Sequence, residues 1–428
     1  MSATVRQVRG RRVWDSRARP TVEAEIILDD DTVARAIAPA GASTGRHEAT
    51  DRRDGGTRYG GYDVRQAVVS LNAEVAEALI GQEIGDQQAI DSLLVRLDGT
   101  ENRSRLGGNV LIAVSMAVAK AAAASRHLPL WRHLSGGRDC RLPLPEIQIF
   151  GGGAHAGGRI DIQDLMVIAN GADDFAQALD WTADVYHAAR ELMDNRGRLS
   201  GLADEGGMWP AFDSNQQALD TLLAAIEHAG RRPGEEVSIS VDIAASNFGQ
   251  GGRYRLTRDG KVLDSDSLSD MLLGWLRRYP IIAIEDPLAE DDLAGLSRFT
   301  RAAGPRVQVI ADDLVVTNAG RIGEAAAAGA GNAALIKPNQ VGTLSETLDA
   351  VAAARAVGWG CIASARSGET EDVTIAHLAV GWQLSQLKVG AIARSERTAK
   401  WNECLRIADD LASGLALPPP ETFPWAGS

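Results

Sequence analysis

Polar and apolar positions alternate over residues 21–28 (TVEAEIIL), which predicts a strand. Apolar residues recur at helical spacing over 63–80 and 88–98, and 111–125 reads as a buried, alanine-rich helix. Glycine-rich loops at 41–45 (GASTG) and 55–61 separate these elements. They predict an α+β unit over residues 1–135, followed by a linker around 135–141 (SGGRDCR). Beyond residue 142 the rhythm changes. Short β-rich runs at 237–243, 281–285, 307–311, 333–337, 361–364 and 386–389 alternate with helical stretches such as 267–278, 318–328 and 343–357. Strand–helix alternation predicts parallel strands with crossover helices. The fold class is therefore α/β, with a βα barrel over 142–428.

Each run ends in an ionisable residue: Asp242, Glu285, Asp312, Lys337, Arg366 and Lys388. In a closed barrel the C-terminal strand ends share one face, so these six groups are expected in one pocket. Three adjacent carboxylates repel one another unless something neutralises them. Mg²⁺ does so with a few carboxylate oxygens and leaves positions for substrate, which makes Asp242, Glu285 and Asp312 candidate ligands; ion pairs to nearby arginines are the alternative. Asp286 and Asp313 turn two of these acids into doublets, and sequence does not say which member ligates. A lysine in a dry pocket or near other cations has a lowered pKa and can act as a general base, a role open to Lys337 and Lys388. Beside Mg²⁺ its natural task is removal of a proton α to a carboxylate. Arg366 with Ser367 suits a phosphate-like anion. Glu205, in Asp-Glu-Gly-Gly, is a candidate general acid, although the same four residues also suit a solvated turn.

Composition sharpens this picture. Lys+Arg total 44 and Asp+Glu 57, giving a net charge of −13, which excludes the basic face of a nucleic-acid or anionic-membrane binder. Lysine stands only at positions 120, 261, 337, 388 and 400, so a surviving lysine marks a place that needs an amine. Three widely spaced cysteines give no disulfide framework or zinc motif. The first residues have no apolar core and no run of 18 apolar residues occurs, so a cytoplasmic protein is expected.

Longer motifs carry a family resemblance. WDSRARPTVEAE, GASTG…EA, RLDGTENRSRLGGNVLIAVSMAVAKAAA, DEGG, SVDIAAS, AIEDPLAEDD, DDLVVTN, LIKPNQVGTLSET, ARSGETED and RSERTAKWNE resemble enolases over residues 11–410. The resemblance implies an N-terminal α+β capping domain, an enolase-type (TIM-like) barrel whose first units are irregular, and a homodimer or higher oligomer. It also implies two Mg²⁺ per active site, with Asp242, Glu285 and Asp312 at the first and Ser43 at the second. Lys337 matches the base and Glu205 the acid that assists departure of the 3-hydroxyl, while Asp164 takes the place of a second catalytic carboxylate. Lys388 matches a contact to the substrate carboxylate, and Arg366 and Ser367 match phosphate contacts. Ala42, Gln163 and His155 match further substrate contacts, His155 on a mobile loop. The small anionic substrate of the family is 2-phosphoglycerate, dehydrated reversibly to phosphoenolpyruvate.

The chain departs from the family near this site. Ala365 replaces a histidine beside the acid, and Asp164 replaces a glutamate. Gly151-Gly152-Gly153 replaces Asn-Gly-Gly, and Asn247 replaces a glutamate, with Phe248-Gly249 for Phe-Tyr. Gly207-Met208-Trp209 replaces Gly-Phe-Ala, and Pro338 follows the base, where it favours extended backbone at Lys337. Such changes resemble a specialised paralogue, like the carboxyphosphonoenolpyruvate synthases of phosphonate antibiotic pathways. An ordinary glycolytic enolase and a non-catalytic binding protein are the alternatives.

Overall fold

The computed structural model describes residues 3–426. The alternating segment at 21–28 lies in β2 (Pro20–Leu28), between β1 (Val5–Trp14) and β3 (Val33–Ile37) in an antiparallel sheet. Every residue of β2 is buried, including its two acids. Arg11 on β1 makes this possible by donating to Glu23 at 2.9 Å and Glu25 at 2.8 Å. The helix Gly108–Ser125 is long and apolar enough to span a membrane, but 83% of it is buried. The helical region at 63–80 forms as Arg65–Leu79, with one wide turn at Leu71–Val75. Gly10 on β1 faces it, where a Cβ would lie 2.9 Å from Leu71.

The second half closes an eight-stranded barrel. In chain order it begins with β4 (Leu144–Gly151), β5 (Asp164–Ile168) and β6 (Ser238–Asp242). A small antiparallel meander, β7 (Gly249–Gln250), β8 (Arg253–Leu256) and β9 (Lys261–Asp264), stands outside it. The barrel resumes with β10 (Ile281–Glu285), β11 (Gln308–Ala311), β12 (Ala333–Ile336), β13 (Gly360–Ser364) and β14 (Gln386–Gly390), which pairs back to β4. The meander and the helix Ser265–Arg278 account for the wide gap between Asp242 and Glu285.

Two expectations are corrected here. The strands are not all parallel: β5 runs antiparallel to both β4 and β6, because β4 returns through residues 152–163 without a crossover helix. Nor does every polar residue end its strand. Lys388 is the third of five residues in β14, and its side chain enters from within the wall. Helix starts follow capping chemistry: Asp86, Asp174, Ser214, Asn318 and Thr343 each accept from a backbone amide in the first turn. Away from the polar end, Leu144, Ile168, Ala283, Ile310, Leu335 and Ile362 cluster with Phe423, on which Trp425 stacks at 4.8 Å.

Candidate active site

The six polar residues converge and are buried, and lysines rather than arginines neutralise the acids. Lys388 Nζ donates to Glu285 at 2.6 Å and Asp242 at 3.0 Å, and Asp164 lies 3.7 Å away. Lys337 Nζ bonds Asp312 Oδ2, whose other oxygen accepts from Gln340 at 2.9 Å. The expected lowering of the lysine pKa values is not found. Burial is the largest influence on Lys337 and pushes it down, but the carboxylates, Asp312 first and Glu285 with it, carry the net shift upward. Burial likewise opposes the charge of Lys388, and Asp242 and Glu285 raise it well above the ordinary value. The two members of each doublet make different contacts. Asp286 has φ 41° and accepts from the backbone amides of Asp312 and Asp313 at 3.0 and 2.9 Å, leaving Glu285 and Asp312 to meet the lysines.

Asp242 Oδ1 and Glu285 Oε1 are buried without a hydrogen-bond partner among the described residues. Two open carboxylate oxygens beside a third acid are a donor set that fits a hard, oxygen-seeking cation. Among the described residues, the potential ligand sets whose atoms lie within 4.8 Å of one another are Asp286–Asp312–Asp313 and His155–Asp164–Glu205, not the predicted triad, whose members are held by the lysines.

Across the cavity stands His155. Its Nδ1 lies 3.0 Å from Asp164 and its Nε2 3.7 Å from Glu205. Burial opposes the charge, but Asp164 and Glu205 together raise its pKa to about 9. Burial pushes Asp164 up, but His155, with Lys388 and Gln148, outweighs it and takes the carboxyl down to about 2. Glu205 is 6% exposed, so Asp-Glu-Gly-Gly is an inward loop and not a solvated turn. With a folded pKa near 9 against 6.5 unfolded, the stability His155 contributes is complete below pH 6.5 and lost as pH rises through 9. Thermal melts from pH 6 to pH 10 are expected to show this loss, roughly 3 kcal/mol, and a His155→Gln variant to flatten it.

The third wall is Arg366. It donates to Glu48 at 2.9 and 3.2 Å, to Asn339 at 3.1 Å and to the Ser43 carbonyl at 3.0 Å. Ser367 Oγ accepts from the Ala42 amide at 2.7 Å. The loop carrying Ala42 and Ser43 is thus drawn onto the barrel. Gly41 permits this, since a Cβ there would lie 2.0 Å from Arg366 Nη2. Glu48, Asn339 and Gln148 are site neighbours that sequence reasoning did not single out. Glu48 stands within a quoted motif; Gln148 gives no sequence signal.

Two family models divide the chain. Residues 5–134 match the enolase N-terminal domain, and residues 139–417 match the enolase C-terminal TIM barrel domain. The chain belongs to the enolase family. For an enolase a requirement for Mg²⁺ follows in general, in keeping with the acidic clusters at the site.

The departures of this enolase-family chain take concrete form. Ala365 is buried on the cavity wall with Glu205, and its methyl brings no ring nitrogen to that wall. Asn247 donates to Gln163 at 3.2 Å, and Gln163 donates to Asp242 at 3.0 Å, so Asn247 steadies a neighbour of the acids. Gly249 packs on Tyr254, whose ring would lie 2.2 Å from an added Cβ. Lys337 has φ −122° and ψ 102°, the extended backbone that a following proline favours.

Proposed function

We propose that the protein is a Mg²⁺-dependent enzyme that removes the proton α to the carboxylate of 2-phosphoglycerate or a related phosphonate and forms an enolpyruvate product. The observation that carries this reading is the joining, in one cavity, of Lys337, Lys388, Arg366 and the acids Glu205, Asp164 and Asp242. Lys337 accepts the α-proton in its neutral form; its present partner Asp312 is one of the acids that would hold the cation. Lys388 holds the substrate carboxylate, with Gln163 and His155 beside it. Arg366, Ser367 and the Ala42 amide hold the phosphate-like group. Glu205, with Asp164 across His155, delivers a proton to a leaving hydroxyl. Asp242, Glu285 and Asp312 would hold one Mg²⁺ and Ser43 a second; when bound, Mg²⁺ supplies positive charge beside the substrate carboxylate. A homodimer or larger assembly in the cytoplasm belongs to the same reading.

Ala365 supports the finer reading of a specialised paralogue of the carboxyphosphonoenolpyruvate synthase kind, in phosphonate antibiotic biosynthesis. An alanine in place of a histidine beside the acid suits a second or larger substrate. The retained base and acid equally support ordinary enolase activity, so the two readings are separated by rate. Phosphoenolpyruvate absorbance with 2-phosphoglycerate and Mg²⁺ is expected to rise slowly with the native protein. Ala365→His is expected to quicken it, roughly tenfold. Native turnover near 10 s⁻¹, about the median for enzymes, would overturn the paralogue reading in favour of ordinary enolase.

A further inference from the structure

Gln148 lies on β4 beneath the cavity and is fully buried. Its amide is spent on two groups. Nε2 donates to Asp164 Oδ1, the same oxygen that meets His155 Nδ1 at 3.0 Å. Oε1 accepts from the Gly207 amide at 2.8 Å, two residues past Glu205. One side chain thus ties the Asp164 carboxylate to the main chain of the loop that carries the acid.

Glycine makes the room for it. A Cβ on Gly207 would come within 2.4 Å of Gln148 Oε1. One on Gly151 would lie 2.6 Å from the Ala203 methyl and 3.2 and 3.3 Å from the two amide atoms of Gln148. Gly151 and Asp164 are both places where this chain departs from the family, and the two departures meet at this one amide. The geometry is a matter of reach. A glutamine facing an aspartate spans the same number of bonds as an asparagine facing a glutamate. Lengthening Asp164 with Gln148 in place drives the carboxylate into the amide. Shortening Gln148 with Asp164 in place opens a gap of about 1.5 Å, one C–C bond.

We propose that Gln148 is a positioning residue, and that Gln148, Asp164 and Gly151 form a length-matched set that keeps the carboxylate and the acid loop at their working separation. The shortened Asp164 is then a compensated change rather than a lost function. This rests on the reading of Asp164 and Glu205 as groups acting on substrate.

The test is a cycle of Gln148→Asn, Asp164→Glu and the double variant, in the full-length protein with 2-phosphoglycerate and Mg²⁺. Each single change is expected to lower kcat about 100-fold, since a misplacement of about 1 Å costs that much. KM is expected to stay within about threefold, because substrate contacts remain. The double variant is expected to return to within about tenfold of the native kcat. A double variant that shows the product of the two losses, about 10⁴-fold, would overturn the proposal, as would an unimpaired Asp164→Glu. Thermal midpoints are read in parallel: both single variants are expected to melt below the native protein and the double variant to recover. Additive or absent shifts would overturn the proposal on that readout. A native protein that neither turns over 2-phosphoglycerate nor exchanges its C2 proton with solvent would overturn 2-phosphoglycerate as the substrate, and the melting cycle would still decide the role of Gln148.

Discussion

Lys337→Ala is expected to abolish removal of the α-proton, with a loss of about 10³- to 10⁴-fold, at the upper end of what a positioned base contributes. The measurement is exchange of the substrate C2 proton with deuterated solvent, which reports this step whatever the later chemistry yields. Lys337→Arg is expected to fare no better, because a guanidinium keeps its charge and cannot accept the proton. The structure adds a second consequence. Lys337 is the ammonium bonded to Asp312, so its removal leaves that buried carboxylate facing only Gln340 and the more distant Arg366. The alanine variant is therefore expected to be less stable than the native protein without Mg²⁺, and to recover more on adding it. Exchange at the native rate in Lys337→Ala would remove this lysine from the reaction.

The largest loss of stability is expected at Arg397. This side chain is fully buried, and its Nε lies 3.6 Å from its single carboxylate neighbour, Glu396. Its remaining nitrogens donate to the carbonyls of Arg366 at 2.6 Å, Val389 at 2.9 Å, Ser367 at 2.5 Å and Asp204 at 3.5 Å. One guanidinium thus joins β14, the phosphate-side turn and the acid loop. Arg397→Met keeps the volume, takes a donor from four carbonyls, of which Ser367 keeps only Ser16 Oγ at 3.3 Å, and leaves Glu396 without that cation, a change that costs roughly 3 to 5 kcal/mol. Denaturant unfolding would measure it, and a loss under about 1 kcal/mol would show that the carbonyls find water. Lys400, one turn further on, is equally buried against Glu369 and the Thr370 carbonyl, and serves the same architecture.

The barrel and its polar pocket were legible because parallel strands place their last residues on one face, so chain position alone located Asp242, Glu285, Asp312 and Lys337. That logic fails where the strand direction changes. β4 and β5 carry Gln148 and Asp164, yet β4 opens on Leu-Pro and β5 runs backwards, so neither fits a strand–helix rhythm. β1 was hidden for another reason: its arginines interrupt the apolar pattern, and the pairing of Arg11 with two buried acids shows only in the ladder it forms with β2. The lysine pKa values were misread because sequence shows the cations but not which carboxylate each one touches. Gln148 could not be read at all, since an inward glutamine becomes meaningful only through the glycines packed around it.

The backward run of β5 has a consequence for how this site can change. Asp242, Glu285, Asp312, Lys337 and Lys388 reach the cavity from separate strands, so a change in one stretch of backbone re-aims only one of them. His155, Gln163 and Asp164 arrive together on the return from β4 to β5, within a span of ten residues. A single insertion or exchange in that hairpin would move three groups at once, against a wall that stays still. The hairpin is thus an interchangeable cassette, through which one scaffold can be refitted to a new substrate in a single step.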